Sequence, residues 1–380
     1  MTMGLGLSLL LDALRFLAAS TVAIGHLSQH YFNIGWPGAT RLAIESVAVF
    51  FLLSGFVIRH TVLHKDKSLP QYALGRAARI YSVVVPALVL TVLLDNISAN
   101  VNPDFYANWA AQASDPLQRL ALSALFLGEA WHLDVSLLSN SPFWSLNYEC
   151  VYYAAFGCWF YLRGPRRVVA LTAIGLLIGP KVFLLFPIWL LGVWLYDALP
   201  RLTRKPRGSL ALLLLGGTLY GLWLALRLPE RAEIALLAAI GPQADEWLGP
   251  SRHIADFYVV ALAGALALVG ANGLMSRLER VLVRFARPIR LAASATFSTY
   301  LYHFPLLVFF ASVWPYDKQS SLAKLTVLAL TLTSCFLLSR VTETRKDIAA
   351  RVLRALAQAV VVGLGRSSVP RVAEGDLHDG

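Results

Sequence analysis

Charge is scarce in this 380-residue chain: Asp, Glu, Lys and Arg make up 14% of it, against roughly a quarter in soluble domains. A soluble protein of this length needs a polar surface around its cores, and a chain that is 57% apolar has too little to make one. Cysteine is scarcer still. Cys150, Cys158 and Cys335 lie in apolar segments without metal-type spacing, which argues against a disulfide or zinc framework. No P-loop, dinucleotide fingerprint or internal repeat is present. The first apolar run has no basic leader and no small-residue cleavage site, and it carries Asp12 and Arg15. It reads as a retained first helix, not a cleaved signal peptide.

What the chain does have is a succession of apolar runs, each near the roughly 20 residues that cross a hydrocarbon core. Membrane helices are expected near 5–31, 40–61, 80–97, 143–162, 167–181, 183–199, 209–227, 253–271, 291–314 and 320–341. The fold class is therefore all-α, a polytopic transmembrane helical bundle with both termini in the cytoplasm. The run 117–131 is too short and too polar to cross, and reads as a re-entrant or interfacial helix. Under this scheme the inner loops 59–79, 163–167, 201–207 and 273–290 carry more than twice as many basic residues as the outer segments. Counting 117–131 as a crossing would move the richest basic segments outside, against the positive-inside rule. The same rule accounts for the net charge of +11, so nucleic acid is not an expected partner. Residues 1–341 form the membrane domain. The tail, 342–380, holds a candidate interfacial helix at 343–365, with Ile348, Val352, Leu356 and Val360 at four-residue spacing beside Arg351 and Arg354, and then a disordered end.

Ionisable groups at membrane depth need a partner or a purpose. Arg15 and His26 lie on one face of the first helix, about 16 Å apart along its axis. Either they mark one functional stripe at two depths, or Arg15 pairs with Asp12 and His26 faces interfacial water. Glu149 lies about one turn inside the fourth helix. His303 falls in mid-membrane among Tyr300, Tyr302 and Pro305, where it is either a site residue or makes a structural hydrogen bond to a neighbouring helix. A base, a carboxylate and a second imidazole on three helices are the usual content of a general acid/base site. Arg76 and Arg79 share one helix face. They are either a fork for phosphate groups or positive-inside decoration. His26 with His30, and His60 with His64, have i,i+4 spacing but no third ligand, so no metal site is expected.

Taken together these residues resemble the acyltransferase 3 family of bacterial membrane O-acyltransferases. LDALRFLAASTVAIGH matches its Arg, ten residues, then His at Arg15 and His26. SVAVFFLLSGFVIR carries its FFxLSGF signature at Phe50 to Phe56. RAARIY matches Arg-x-x-Arg at Arg76 and Arg79, FWSLNYECVYYAAFG matches WSLxxE at Trp144 to Glu149, and TYLYHFPL matches a late Tyr-and-His element. The five elements stand in order over roughly residues 11–310. Ser82 replaces a usual proline, Glu45 stands where the family more often has a glycine-rich stretch, and the hydrolase-like domain fused to some members is not expected.

The resemblance implies transfer of an acyl group, commonly acetyl, from cytoplasmic acyl-CoA to a hydroxyl of an envelope carbohydrate or lipid-linked sugar. It implies a bacterial inner membrane location with polysaccharide biosynthesis or export partners, membrane lipid around the chain, and no tightly bound cofactor. On this reading His26 is the base and Glu149 orients or charges its imidazole. Arg15 stabilises negative charge, and Arg76 and Arg79 hold CoA phosphates. His303 is a candidate for acceptor binding or proton relay, with Tyr300 and Trp144 as further acceptor-binding candidates. A proton-coupled glycan or lipid transporter or flippase would use the same buried groups, but it does not explain five ordered elements and predicts inverted repeats.

Overall fold

Every expected membrane helix has a counterpart in the computed structural model, which describes residues 3–32, 39–203, 205–241 and 243–367. The principal helices are α1 (Leu5–Leu27), α2 (Ala39–His64), α3 (Leu69–Val101), α4 (Pro116–Ala124) and α5 (Trp144–Tyr161). They continue as α6 (Gly164–Ile178), α7 (Phe186–Leu202), α8 (Pro206–Ala225), α9 (Leu228–Ile240) and α10 (Ile254–Gly273). The last five are α11 (Met275–Arg284), α12 (Ala286–Ala293), α13 (Thr296–Val313), α14 (Ser321–Val341) and α15 (Lys346–Ser367). No strand occurs among the described residues. The protein is an all-α, multi-pass membrane protein.

Eight helical segments are long and apolar enough to cross a membrane by length and composition. Of the ten expected, α5 and α6 are the two that fall short. α5 carries Ser145, Asn147 and Glu149, and α6 has 15 residues with Arg166 and Arg167 in its first turn. The expected span 80–97 is the middle of the 33-residue α3, which starts earlier because the Ser68 side chain accepts from Gln71 N and Pro70 suits a first helical turn. The basic loop 273–290 is not irregular. It folds as the amphipathic α11 and α12.

Side-chain contacts tie the loops together in two sets. At one end Arg59 pairs with Asp197 at 2.9 Å, Asn272 donates to Thr203 at 2.8 Å, Tyr161 donates to the Asp66 carbonyl, and Arg290 reaches Asp12 and Ser8 on α1. This is the basic end. At the other, Asp95 near the end of α3 accepts from Ser139 N and Oγ, both at 2.7 Å, and from Tyr106 at 3.0 Å. Ser139 precedes α5, so the chain leaves the bundle after α3 and re-enters at the same end. The nine-residue α4 lies in this excursion and does not cross. A buried ion pair between Glu129 and Lys181, 2.6 Å apart, holds the excursion against the start of α7; burial still pushes the Glu129 carboxyl up to about 8.

Glycine decides how closely α2 and α7 approach. A Cβ on Gly55 would stand 1.9 Å from the Trp189 carbonyl oxygen, and one on Gly192 would stand 2.0 Å from that of Leu52. Small residues facing each other let two backbones touch, the usual means of helix association in lipid. α13 sits at the centre, packed on α1, α3 and α14, and α15 lies along α3 with Ile348, Val352 and Leu356 exposed. The end expected to be disordered falls outside the described residues from 368 onward.

Candidate active site

The signature FFLLSGF places two functions on successive residues. Gly55 seats α2 on α7, and the preceding Ser54 then points into the bundle. Its hydroxyl donates to Glu149 Oε1 at 2.5 Å and accepts from Trp189 Nε1 at 3.2 Å. Tyr153, one turn beyond Glu149 on α5, donates to the same Oε1 at 2.5 Å. Two hydroxyls thus fix one carboxylate oxygen. Glu149 itself lines two small adjoining cavities, a larger and a smaller. The larger is bounded by Phe50 and Phe51 of α2, Ser145 of α5 and Tyr300 of α13; the smaller by Arg76 and Arg79 of α3. Arg15 lines both.

Three guanidinium groups therefore share the smaller cavity with one carboxylate. Arg15 interacts electrostatically with Arg79, Glu149 and Glu343, and Arg76 Nε is buried without a hydrogen-bond partner. Glu343, just after α14, accepts from Ser298 N and Oγ at 3.0 and 3.1 Å, which caps the first turn of α13. The bland alternative for Arg15 fails, because Asp12 turns away from it to Arg290 and Arg15 faces the cavity instead. Clustered guanidiniums in a water-poor cleft form a receptor for phosphate or for a polarised carbonyl oxygen.

The imidazoles meet elsewhere. His26 and His303 approach to 5.2 Å between ring centroids, and His26 also packs edge-on to Phe304. The His303 Nδ1 lies 3.0 and 2.8 Å from the carbonyl oxygens of Thr299 and Tyr300. Only a donor satisfies those acceptors, so Nδ1 carries a proton, and in the neutral ring Nε2 is the acceptor. That Nε2 is buried without a partner. His26 Nδ1 lies 3.1 Å from Gln29 Nε2. Between the two groups Tyr300 connects α13 to α5: its hydroxyl is 2.5 Å from Ser145 Oγ and donates to the Pro142 carbonyl at 3.0 Å.

The expected pairing of Glu149 with His26 is not what the structure shows. Glu149 is held by Ser54 and Tyr153 beside Arg15, whereas His26 is surrounded by Gln29, His303 and Phe304. The reason is depth. Ser145, one turn earlier on α5, is the residue level with Tyr300, and Glu149 lies a turn deeper, where cations and hydroxyls are available to a buried carboxylate. Trp144 packs among Phe51, Tyr148 and Phe257 and lines neither cavity. Ser54, Ser145, Tyr153 and Glu343 escaped the sequence reading. Tyr153 had a signal, its i+4 spacing from Glu149; Glu343 had none, since its partners lie 45 residues away on another helix.

The acyltransferase 3 family, described as an acyltransferase domain, matches residues 9–340. Among curated proteins the chain is similar to "Acyltransferase MdmB" of Streptomyces mycarofaciens, with 28% identity over 372 residues, 88% of this chain and 90% of that protein. It is also similar to "Protein 2 in picA locus" of Rhizobium radiobacter, with 27% identity over 197 residues, 46% of this chain and 95% of that protein. No solved structure matches it.

Proposed function

The chain belongs to the acyltransferase 3 family and is a membrane acyltransferase moving acyl groups other than aminoacyl groups, and from that premise we propose that it transfers an acyl group, most simply acetyl, from acyl-CoA to a hydroxyl of an envelope carbohydrate or lipid-linked sugar. The observation that carries this reading is the polar column through the bundle: the arginine cluster with Glu149 near the basic end, Tyr300 with Ser145 above it, and the His26–His303 pair beyond. The basic end faces the cytoplasm of a bacterial inner membrane, with both termini there, in accord with the positive-inside rule.

Acyl-CoA enters at the basic end. Arg76 and Arg79 bind its phosphates, and Arg15 extends the positive lining toward the bundle interior. Glu149, fixed by Ser54 and Tyr153, sets the position of the guanidiniums and limits the positive charge of the cleft. The pantetheine arm runs along the column, since Arg15 and His26 are about 16 Å apart on α1, and brings the thioester carbonyl toward the imidazoles. A sugar hydroxyl is a very weak acid, so it must lose its proton as it attacks. His26 takes that proton, with His303 Nε2 beside it as a second acceptor. The new C–O bond forms, the C–S bond breaks, and the leaving thiolate takes the proton from the His26 imidazolium, so that CoA departs as the thiol toward the basic end past Arg15.

The reading is tested by His26→Ala in a reconstituted transfer assay. Loss of transferred acyl groups of about 100-fold or more, with unchanged membrane abundance and unchanged acyl-CoA binding, is expected. Activity within a few-fold of wild type would remove His26 from the chemistry.

A further inference from the structure

On the opposite side of α2 from the cavities, an open groove lies between α1, α2, α8 and α10. Its floor is Gly216, Gly217 and Gly264, and a Cβ on Gly217 would meet nothing within 4 Å. Val49, Val260 and Ala263 make its walls apolar. α8 is the least buried of the candidate spans, so the groove faces the side of the bundle that lipid covers.

One residue does not suit that setting. Glu45 lines the groove and is only 4% exposed. Tyr220 donates to its Oε2, but Oε1 is buried without a hydrogen-bond partner, and among the described residues no cation pairs with it. The nearest basic group on its own helix, Arg41, acts on Glu45 electrostatically from one turn away, but its hydrogen bond goes to Glu230 at 3.0 Å. Asp256, itself 7% exposed, adds a second acid nearby. A buried carboxylate oxygen at membrane depth with no donor in contact is costly until a cationic donor completes it.

We propose that this groove binds an aminophospholipid, a lipid whose headgroup ends in a primary ammonium. The ammonium donates to Glu45 Oε1, and the acyl chains lie along the glycine floor. The site does not touch His26 or the arginine cluster, so it stands independently of the catalytic reading.

The test uses the full chain in phosphatidylcholine nanodiscs containing phosphatidylethanolamine or phosphatidylglycerol, with retained lipid counted by native mass spectrometry. Phosphatidylethanolamine should be retained at about one per chain and about tenfold over either of the others, the difference of one charge-assisted hydrogen bond. Glu45→Gln should abolish that preference and Glu45→Asp should weaken it. Gly217→Phe should also abolish it by filling the groove while leaving the acid intact, and thermal midpoint and acyl-CoA binding serve as folding controls for each variant. Equal retention of phosphatidylcholine would overturn the role of the ammonium, and equal retention of phosphatidylglycerol would reduce the groove to an ordinary lipid contact. An unchanged preference in both Glu45→Gln and Gly217→Phe would also refute the proposal.

Discussion

Replacing Gly55 by Ala adds one methyl group, and the structure says what that methyl meets. It would sit 1.9 Å from the Trp189 carbonyl oxygen, and real Cβ atoms essentially never come within 3.0 Å of such an atom. The obstacle is backbone, which has no rotamer to change, so α2 and α7 must part by about 1.1 Å or bend. Overpacking of a tight contact costs about 1–3 kcal/mol, and a clash with backbone places Gly55→Ala at about 3 kcal/mol, the top of that range. The same parting stretches the Trp189 Nε1 to Ser54 Oγ bond beyond its present 3.2 Å, which loosens the group holding Glu149. Gly192→Ala strains the same seam from the other side, with its Cβ 2.0 Å from the Leu52 carbonyl. Once the helices have moved for one methyl, the second finds its space partly made. The double variant should therefore lose clearly less stability than the sum of the singles. Thermal midpoints of the purified protein in detergent, read by tryptophan fluorescence and size-exclusion recovery, measure this. A Gly55→Ala protein with the wild-type midpoint would refute the close approach, and full additivity would show that the two glycines do not share one seam.

Other outcomes follow from the site. Exchanging both Arg76 and Arg79 for Gln should weaken acyl-CoA binding by about tenfold or more, with Lys at either position a partial rescue because an ammonium lacks the bidentate fork; calorimetric titration with acyl-CoA reads it, and unchanged affinity would reduce both residues to topology signals. Ser54→Ala and Tyr153→Phe each remove a hydrogen bond to a charged group, about 1.5–3 kcal/mol, so each should lower acyl-CoA affinity or turnover by about tenfold or more, while neither should add much in a Glu149→Gln background. Full multiplicative losses there would mean that the hydroxyls act elsewhere. Reporters fused after residues 165, 205 or 283 should give a cytoplasmic signal and those after 110 or 240 an outside signal; an outside signal at 205 would mean that the segment containing α4 crosses after all.

The sequence by itself determined the class of this protein and much of its vocabulary. Lipid forces every backbone group to be satisfied within its own segment, so an apolar run of sufficient length has little choice but to be a helix. That is why the positions of α1, α2, α8 and α14 could be read locally, and why the basic loops could be assigned to one end. It also determined which polar residues needed explaining, since an ionisable group in an apolar run is anomalous wherever it ends up. Periodicity gave the face of Arg15 and His26 on α1, because that depends on one helix alone. What only the tertiary structure decided is which group each of them meets. Asp12 is three residues from Arg15 yet binds Arg290, 278 positions away. Glu149 is level with Arg15 and not with His26, because the vertical offset between α1 and α5 is set by the packing of α2, α7 and α13 around them. A shift of a single turn, about 5.4 Å, exchanges one partner for another without altering any helix's own hydrophobic pattern, and for that reason the pattern could not contain it.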